Sequence, residues 1–209
     1  MRLVLPDKLL LATHNKSKLA EFSELLRPRG TTIVSAGEAG LPEPEETETT
    51  FKGNAALKAE AATRATGLTA LADDSGLAVD GLGGDPGIYS ARWAGPSKDF
   101  AAAMARVLDL LSEGGHTDPA ARRAQFIAVL ALSRPDAPTL YFEGVTQGHI
   151  APAPCGSEGF GYDPIFIPDD GDGRTFGEMS AAEKHGETAP LSHRARAVHL
   201  FAKSLSEAP

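Results

Sequence analysis

A chain of 209 residues, 42% hydrophobic and 23% charged, is long enough for one domain or two small lobes, and its composition excludes collagenous, coiled-coil and wholly disordered classes. Twenty basic against 28 acidic residues give a net charge of -8, which argues against a broad, sequence-blind grip on nucleic-acid backbone. The one cysteine, Cys155, leaves neither an intrachain disulfide nor a cysteine-based zinc site, and the longest apolar run, Phe126 to Leu132, falls far below the ~20 residues of a membrane span. The reading is an unexported cytoplasmic protein with no membrane and no nucleic-acid partner.

In chain order, Leu9 to Ala12 reads as a buried strand, and Ser17 to Leu26 as a helix with Leu19, Phe22, Leu25 and Leu26 on one face. Thr31 to Ser35 is β-branched enough for a second strand, and the proline-rich acidic stretch Glu43 to Glu48 reads as a solvated loop. An alanine-rich helix from about Thr50 to Thr66 stops at Gly67. Leu68 to Ala72 then reads as a strand that delivers Asp73 and Asp74 at its end, and Leu77 to Val79 leads to an Asp80-Gly81 turn. Ser97 to Leu111 is helical in pattern. Arg123 to Leu132 and Thr139 to His149 are two strands around Arg134-Pro135-Asp136, so the second half is partly antiparallel. A loop rich in Gly, Asp and Pro, a short helix near Ser180 to Lys184 and a last helix capped by Ser192 complete the chain. No repeat and no linker divides it, so residues 1–209 read as a single domain.

Four segments carry residues suited to chemistry. Thr13, His14, Asn15, Lys16, Ser17 and Lys18 lie between the first strand and the first helix, where unpaired N–H groups, the positive helix end and two lysines converge as in a phosphate cradle. Asp73, Asp74 and Ser75 place carboxylates where one acid can hold a hard divalent cation such as Mg²⁺ or take a proton from water. Phe160, Gly161, Tyr162 and Asp163 combine stacking surface, close approach and one acceptor, as a flat base requires. Ser192, His193 and Arg194 offer donors at a helix start. Taken singly, the first is more often just a cap and the second more often a DSG turn, the third is equally well read as a core corner, and the fourth is a routine helix start.

Taken together and in order, Thr13-x-Asn15-x-x-Lys18, Glu46-Thr47-x-Thr49-Thr50-Phe51 with Asn54-Ala55 and Lys58-Ala59, Ala72 to Leu77, Gly83 to Arg92, Phe160 to Pro164, Glu183-Lys184 and Ser192 to Arg194 resemble the inosine triphosphate pyrophosphatase family over nearly the whole chain. The resemblance implies an α/β fold with an elongated mixed β-sheet, flanking helices and two lobes around a central nucleotide cleft, assembled as a homodimer. It implies Mg²⁺-dependent cleavage of the α–β phosphate bond of dITP, ITP or XTP, giving monophosphate and pyrophosphate. By position, Thr13 through Lys18 and Lys184 would hold the triphosphate, Asp74 would be metal ligand and proton acceptor, and Ser75 would touch substrate. Phe160, Gly161, Tyr162 and Asp163, with His193 and Arg194, would receive the base.

Two departures stand out. Where the family usually carries an acid before its asparagine, this chain has Gly53, and the connection from Lys184 to Ser192 is lengthened by His185-Gly186-Glu187-Thr188. The first departure keeps a low-turnover nucleotide sensor in view as an alternative, beside a pyrophosphatase for pyrimidine or other modified nucleotides.

Overall fold

Three consecutive leucines leave no face for water, and they form the first strand, β1 (Lys8–Leu11), in which Leu9, Leu10 and Leu11 are fully buried. In the computed structural model, which describes residues 3, 4, 6–26, 31–186 and 189–205, the next elements are α1 (Lys16–Leu26) and β2 (Thr32–Ser35). Phe22 and Leu26 of α1 are buried as the spacing predicts and Leu19 packs against the same cluster, while the side chain of Leu25 lies outside the described residues. Helix α2 (Phe51–Thr66) is capped at both predicted ends: Thr50 accepts from the Gly53 N–H, and Gly67, at φ 70°, donates back to Thr63. Its buried positions Ala55, Ala59 and Ala62 recur at helical spacing, and such small side chains let a helix lie close on its support.

The expected break after Ala72 does not exist. β3 (Ala70–Val79) runs unbroken through Asp73, Asp74 and Ser75, because both carboxylates meet lysines and need no turn to reach water. After a turn at Asp80–Leu82 come α3 (Ser90–Trp93) and α4 (Phe100–Glu113). The latter starts three residues later than the pattern suggests, since Lys98 takes φ 55° and Asp99 supplies the cap to the Ala102 N–H. β4 (Arg123–Arg134) and β5 (Ala137–Ile150) are joined by Pro135 and Asp136 alone, which makes them an antiparallel hairpin. β6 (Phe166–Pro168), which pairs antiparallel with β5, is too short to show a period in sequence. Helices α5 (Ala181–His185) and α6 (His193–Ser204) follow, the latter opened by Ser192 accepting from the Ala195 N–H.

The strands form one sheet in the order β2-β1-β3-β4-β5-β6, with β1 parallel to both of its neighbours. Parallel neighbours require crossovers, and α1 and α2 provide them; β5 and β6 need none. The sheet is therefore mixed, with helices flanking it, as expected. No described helix is long and apolar enough to cross a membrane.

The chain divides into two compact units, each built from separate segments. The first comprises Met1–Asp74, Ala128–Glu143 and Ala197–Pro209, and its core joins Leu9, Leu11, Phe22, Leu71, Leu130 and Phe201. The second comprises Ser75–Ile127 and Gly144–Arg196, with a core of Leu77, Val107, Leu111, Phe126, Phe166 and Phe176. The divisions fall inside β3, β4, β5 and α6, so no loop composition marks them in the sequence.

Candidate active site

In the first unit the turn after β1 is organised by Asn15. Its Oδ1 accepts from the Ser17 and Lys18 N–H groups at 3.0 and 3.2 Å, while the Thr13 hydroxyl accepts from the Asn15 N–H at 3.1 Å. His14 is tied to the Leu41 carbonyl at 2.8 Å. Two of the amides expected to cradle phosphate are thus already used by the cap, and the exposed residues of the turn are His14, Lys16 and Ser17.

Neighbouring residues of a strand point to opposite faces, and the two aspartates of β3 do so: Asp73 pairs with Lys18 of α1, and Asp74 with Lys58 of α2. The Lys58 ammonium bridges two carboxylates, Asp74 Oδ1 at 3.0 Å and Glu46 Oε1 at 2.8 Å. Burial works to discharge Lys58, but Asp74 and Glu46 outweigh it and hold the ammonium above its usual range. Burial likewise pushes the Asp74 carboxyl up, against the pull of Lys58 and Lys18. Asp74 Oδ2 is enclosed and has no hydrogen-bond partner among the described residues.

A buried carboxylate oxygen of this kind suits a hard cation, so the donor set fits a divalent metal. The described residues contain no group of three His, Cys, Asp or Glu side chains able to hold one. Protein oxygens from Asp74 and Glu46 would therefore form part of the shell, leaving phosphate oxygens and water to complete it. The departure at Gly53 has a counterpart here. A Cβ at that position would lie 2.7 Å from Glu48 Cβ and 3.1 Å from Glu48 Oε2, so the Glu48 side chain fills the place that a side chain at 53 would take.

The second unit gathers the remaining expected residues. Arg194 donates from Nη2 to Ser75 Oγ at 2.9 Å and lies over the Phe160 ring at 5.4 Å. His193, at the start of the same helix, stacks on Phe126 with centroids 4.6 Å apart and planes 9° apart. Gly161, at φ 70°, turns the chain between Phe160 and Tyr162. Asp163 Oδ2 accepts from Lys184 Nζ at 3.0 Å and from the Phe160 N–H at 3.3 Å.

Two expectations change. Lys184, assigned to the triphosphate by position, is instead buried on Asp163, with a second bond to the Phe176 carbonyl at 3.3 Å, because α5 is fixed by its Ser180–Glu183 capping box. Tyr162 is 2% exposed, spends its hydroxyl on the Ser90 carbonyl at 2.9 Å and meets the Phe100 ring edge-on at 5.5 Å, which makes it a core residue rather than an open stacking surface. The lengthened connection does not separate Lys184 from α6. The Leu191 and Ser192 N–H groups both donate to the Lys184 carbonyl, at 3.1 and 2.9 Å, while Glu187 and Thr188 lie outside the described residues.

Sequence reasoning did not single out Lys58, Glu46 or Phe126 as site residues. The first two stand in a motif, but their separations of 16 and 28 residues from Asp74 carry no local signal. Phe126 lies in an apolar strand and reads only as core.

Residues 9–204 match the model of the Ham1 family. A dITP/XTP pyrophosphatase of Brucella melitensis is 50% identical over 97% of this chain and 95% of its own length. Another of that name, from Rhodopseudomonas palustris, is 55% identical over 91% of both chains. Among solved structures, a HAM1 protein from Coxiella burnetii superposes with a TM-score of 0.85 at 40% identity, covering 96% of this chain and 99% of that one.

Proposed function

The chain belongs to the Ham1 family, and from that premise we propose that it hydrolyses the non-standard purine nucleotides dITP, ITP and XTP to monophosphate and pyrophosphate. The observation that carries the proposal is the state of Asp74: buried, with one oxygen on an ammonium shared with Glu46 and the other enclosed without a hydrogen-bond partner among the described residues. Water attacks the α-phosphorus, the α–β bridging P–O bond breaks with its electron pair on pyrophosphate, and Asp74 takes the proton.

Lys16 and Lys18 of the turn after β1 supply the cationic side chains for the triphosphate, whereas Lys58, held by two carboxylates, fixes Asp74. Mg²⁺ is the cation we assign, held by Asp74 and Glu46 with phosphate and water oxygens; bound there, it would neutralise phosphate charge. The homodimer and the cytoplasmic location are part of the same proposal.

The base falls to the second unit's set. Hypoxanthine and xanthine present O6 as an acceptor, matched by Arg194 donors, and N1–H as a donor, matched by the Asp163 carboxylate. Adenine reverses both, leaving buried polar groups unpaired at about 1–3 kcal/mol each. Ser75 serves by holding Arg194, and Phe160 by offering a ring face.

The test is pyrophosphate and phosphate release from ITP, dITP, XTP, ATP, GTP and dTTP, with Mg²⁺ or EDTA. Fast pyrophosphate release from the first three, abolished by EDTA, is the expected result. Equal rates on GTP or dTTP would remove the base assignment, and binding of ITP without turnover would replace the enzyme by a sensor.

A further inference from the structure

Asn54 opens the buried face of α2, one turn before Lys58, and its surface is 0% exposed. Its Oδ1 accepts from the Glu48 N–H at 3.0 Å, which fixes the rotation of the amide and commits Nδ2 to the other direction. That Nδ2 is enclosed and has no hydrogen-bond partner among the described residues, and the same holds for Asp74 Oδ2. Helix side chains lean towards the helix N-terminus, so Lys58 runs back over the turn that carries Asn54 before its Nζ reaches Asp74 Oδ1. The residues that carry the unmet donor and the unmet acceptor are thus both linked to Lys58, Asn54 one turn before it on α2 and Asp74 through its Nζ. Native proteins satisfy such buried atoms with protein groups or ordered water, and a water both accepts and donates.

We propose that Asn54 is a positioning residue for Asp74, acting through one buried water that accepts from Asn54 Nδ2 and donates to Asp74 Oδ2. The proposal rests on the reading of Asp74 as the reacting carboxylate. With Oδ1 held by Lys58 and Oδ2 by the water, the plane of the carboxylate is fixed at both ends. Each oxygen keeps a further lone-pair site for a cation or for the attacking water. Aspartate at 54 would keep the bond from Glu48 and lose the donor; leucine has nearly the same shape and neither group.

The test has two arms. A high-resolution crystal structure of the wild-type protein is expected to show a water within hydrogen-bond distance of both atoms. Its absence, or another partner on Asn54 Nδ2, overturns the proposal, and this arm stands even where a variant fails to fold. In the second arm, Asn54→Leu and Asn54→Asp are expected to lower kcat on ITP about 10–100-fold, as loss of an outer-shell partner does, with KM nearly unchanged. A kcat close to wild type, or a loss carried by KM, overturns it. A wild-type protein that releases no pyrophosphate from ITP, dITP or XTP overturns the reading of Asp74 and the positioning role with it. An active wild type beside unaffected variants removes the positioning role alone.

Discussion

Each unit buries one lysine on one aspartate at 3.0 Å, Lys58 on Asp74 in the first and Lys184 on Asp163 in the second, yet the surroundings make the two pairs different instruments. Lys58 is shared with a second carboxylate, Glu46, so these three groups carry formal charge −1, and one Asp74 oxygen has no hydrogen-bond partner among the described residues. Among the described residues Lys184 Nζ meets the Asp163 carboxylate and the Phe176 carbonyl, with the Phe176 ring 6.0 Å away, so the lysine is matched one to one by a carboxylate. On the proposed function, the first corner would take the cation and the proton, and the second would read the polar edge of the base.

The sharpest way to break this contrast is Asp74→Asn, which keeps the shape and removes the charge. We expect kcat on ITP to fall ~10²–10⁴-fold, the usual worth of a positioned proton acceptor, whereas Asp163→Asn changes chiefly the ratio of ITP to ATP turnover. Comparable kcat losses in both would mean that the two pairs share one role.

Lys58→Met leaves Asp74 and Glu46 facing each other, and breaking a buried pair in this way costs about 3–5 kcal/mol of stability, read by urea denaturation. The pH dependence has a definite sign. Because Asp74 and Glu46 hold the folded Lys58 ammonium above the usual lysine value despite its burial, its contribution is whole below the unfolded value and is lost as pH rises through the folded one. The wild type therefore loses, across the alkaline range, stability that Lys58→Met never had; parallel curves for the two proteins would refute the assignment.

A smaller effect is expected from Arg194→Ala, which removes the donor to Ser75 and the cation over Phe160. The preference for ITP over ATP should shrink by the equivalent of about 1–3 kcal/mol, measured as the ratio of kcat/KM values. Gly53→Glu should destabilise by about 1–3 kcal/mol by forcing the new side chain into Glu48, with thermal stability regained in the double variant Glu48→Gly, Gly53→Glu. Smallest is Tyr162→Phe, which forfeits one buried hydrogen bond to Ser90, about 1 kcal/mol, and leaves KM for ITP unmoved. A raised KM would return Tyr162 to the base.

Much of this was legible beforehand. The caps of α2 follow from Thr50 and Gly67, and the burial of Phe22 and Leu26 from helical spacing, because each signal is contained within a few residues. The continuous course of β3 was not legible, since two adjacent aspartates read as a strand end until lysines from two different helices are seen to neutralise them. The pairing of Lys184 with Asp163 was likewise hidden. A motif gives the order of residues along the chain, and both lysine assignments by order are silent about which carboxylate an ammonium will reach.

The sequence by itself determined the mixed α/β class, the capped helices, the glycine at 53 and the set of chemical groups available. Tertiary structure alone decided that Lys58 bridges Glu46 and Asp74, that Tyr162 is core, that Glu48 covers Gly53, and that Asn54 and Asp74 are buried. The reason is physical. Caps and periodicity are settled by interactions a few residues long, whereas the state of a buried charge depends on partners that only packing brings within hydrogen-bond distance.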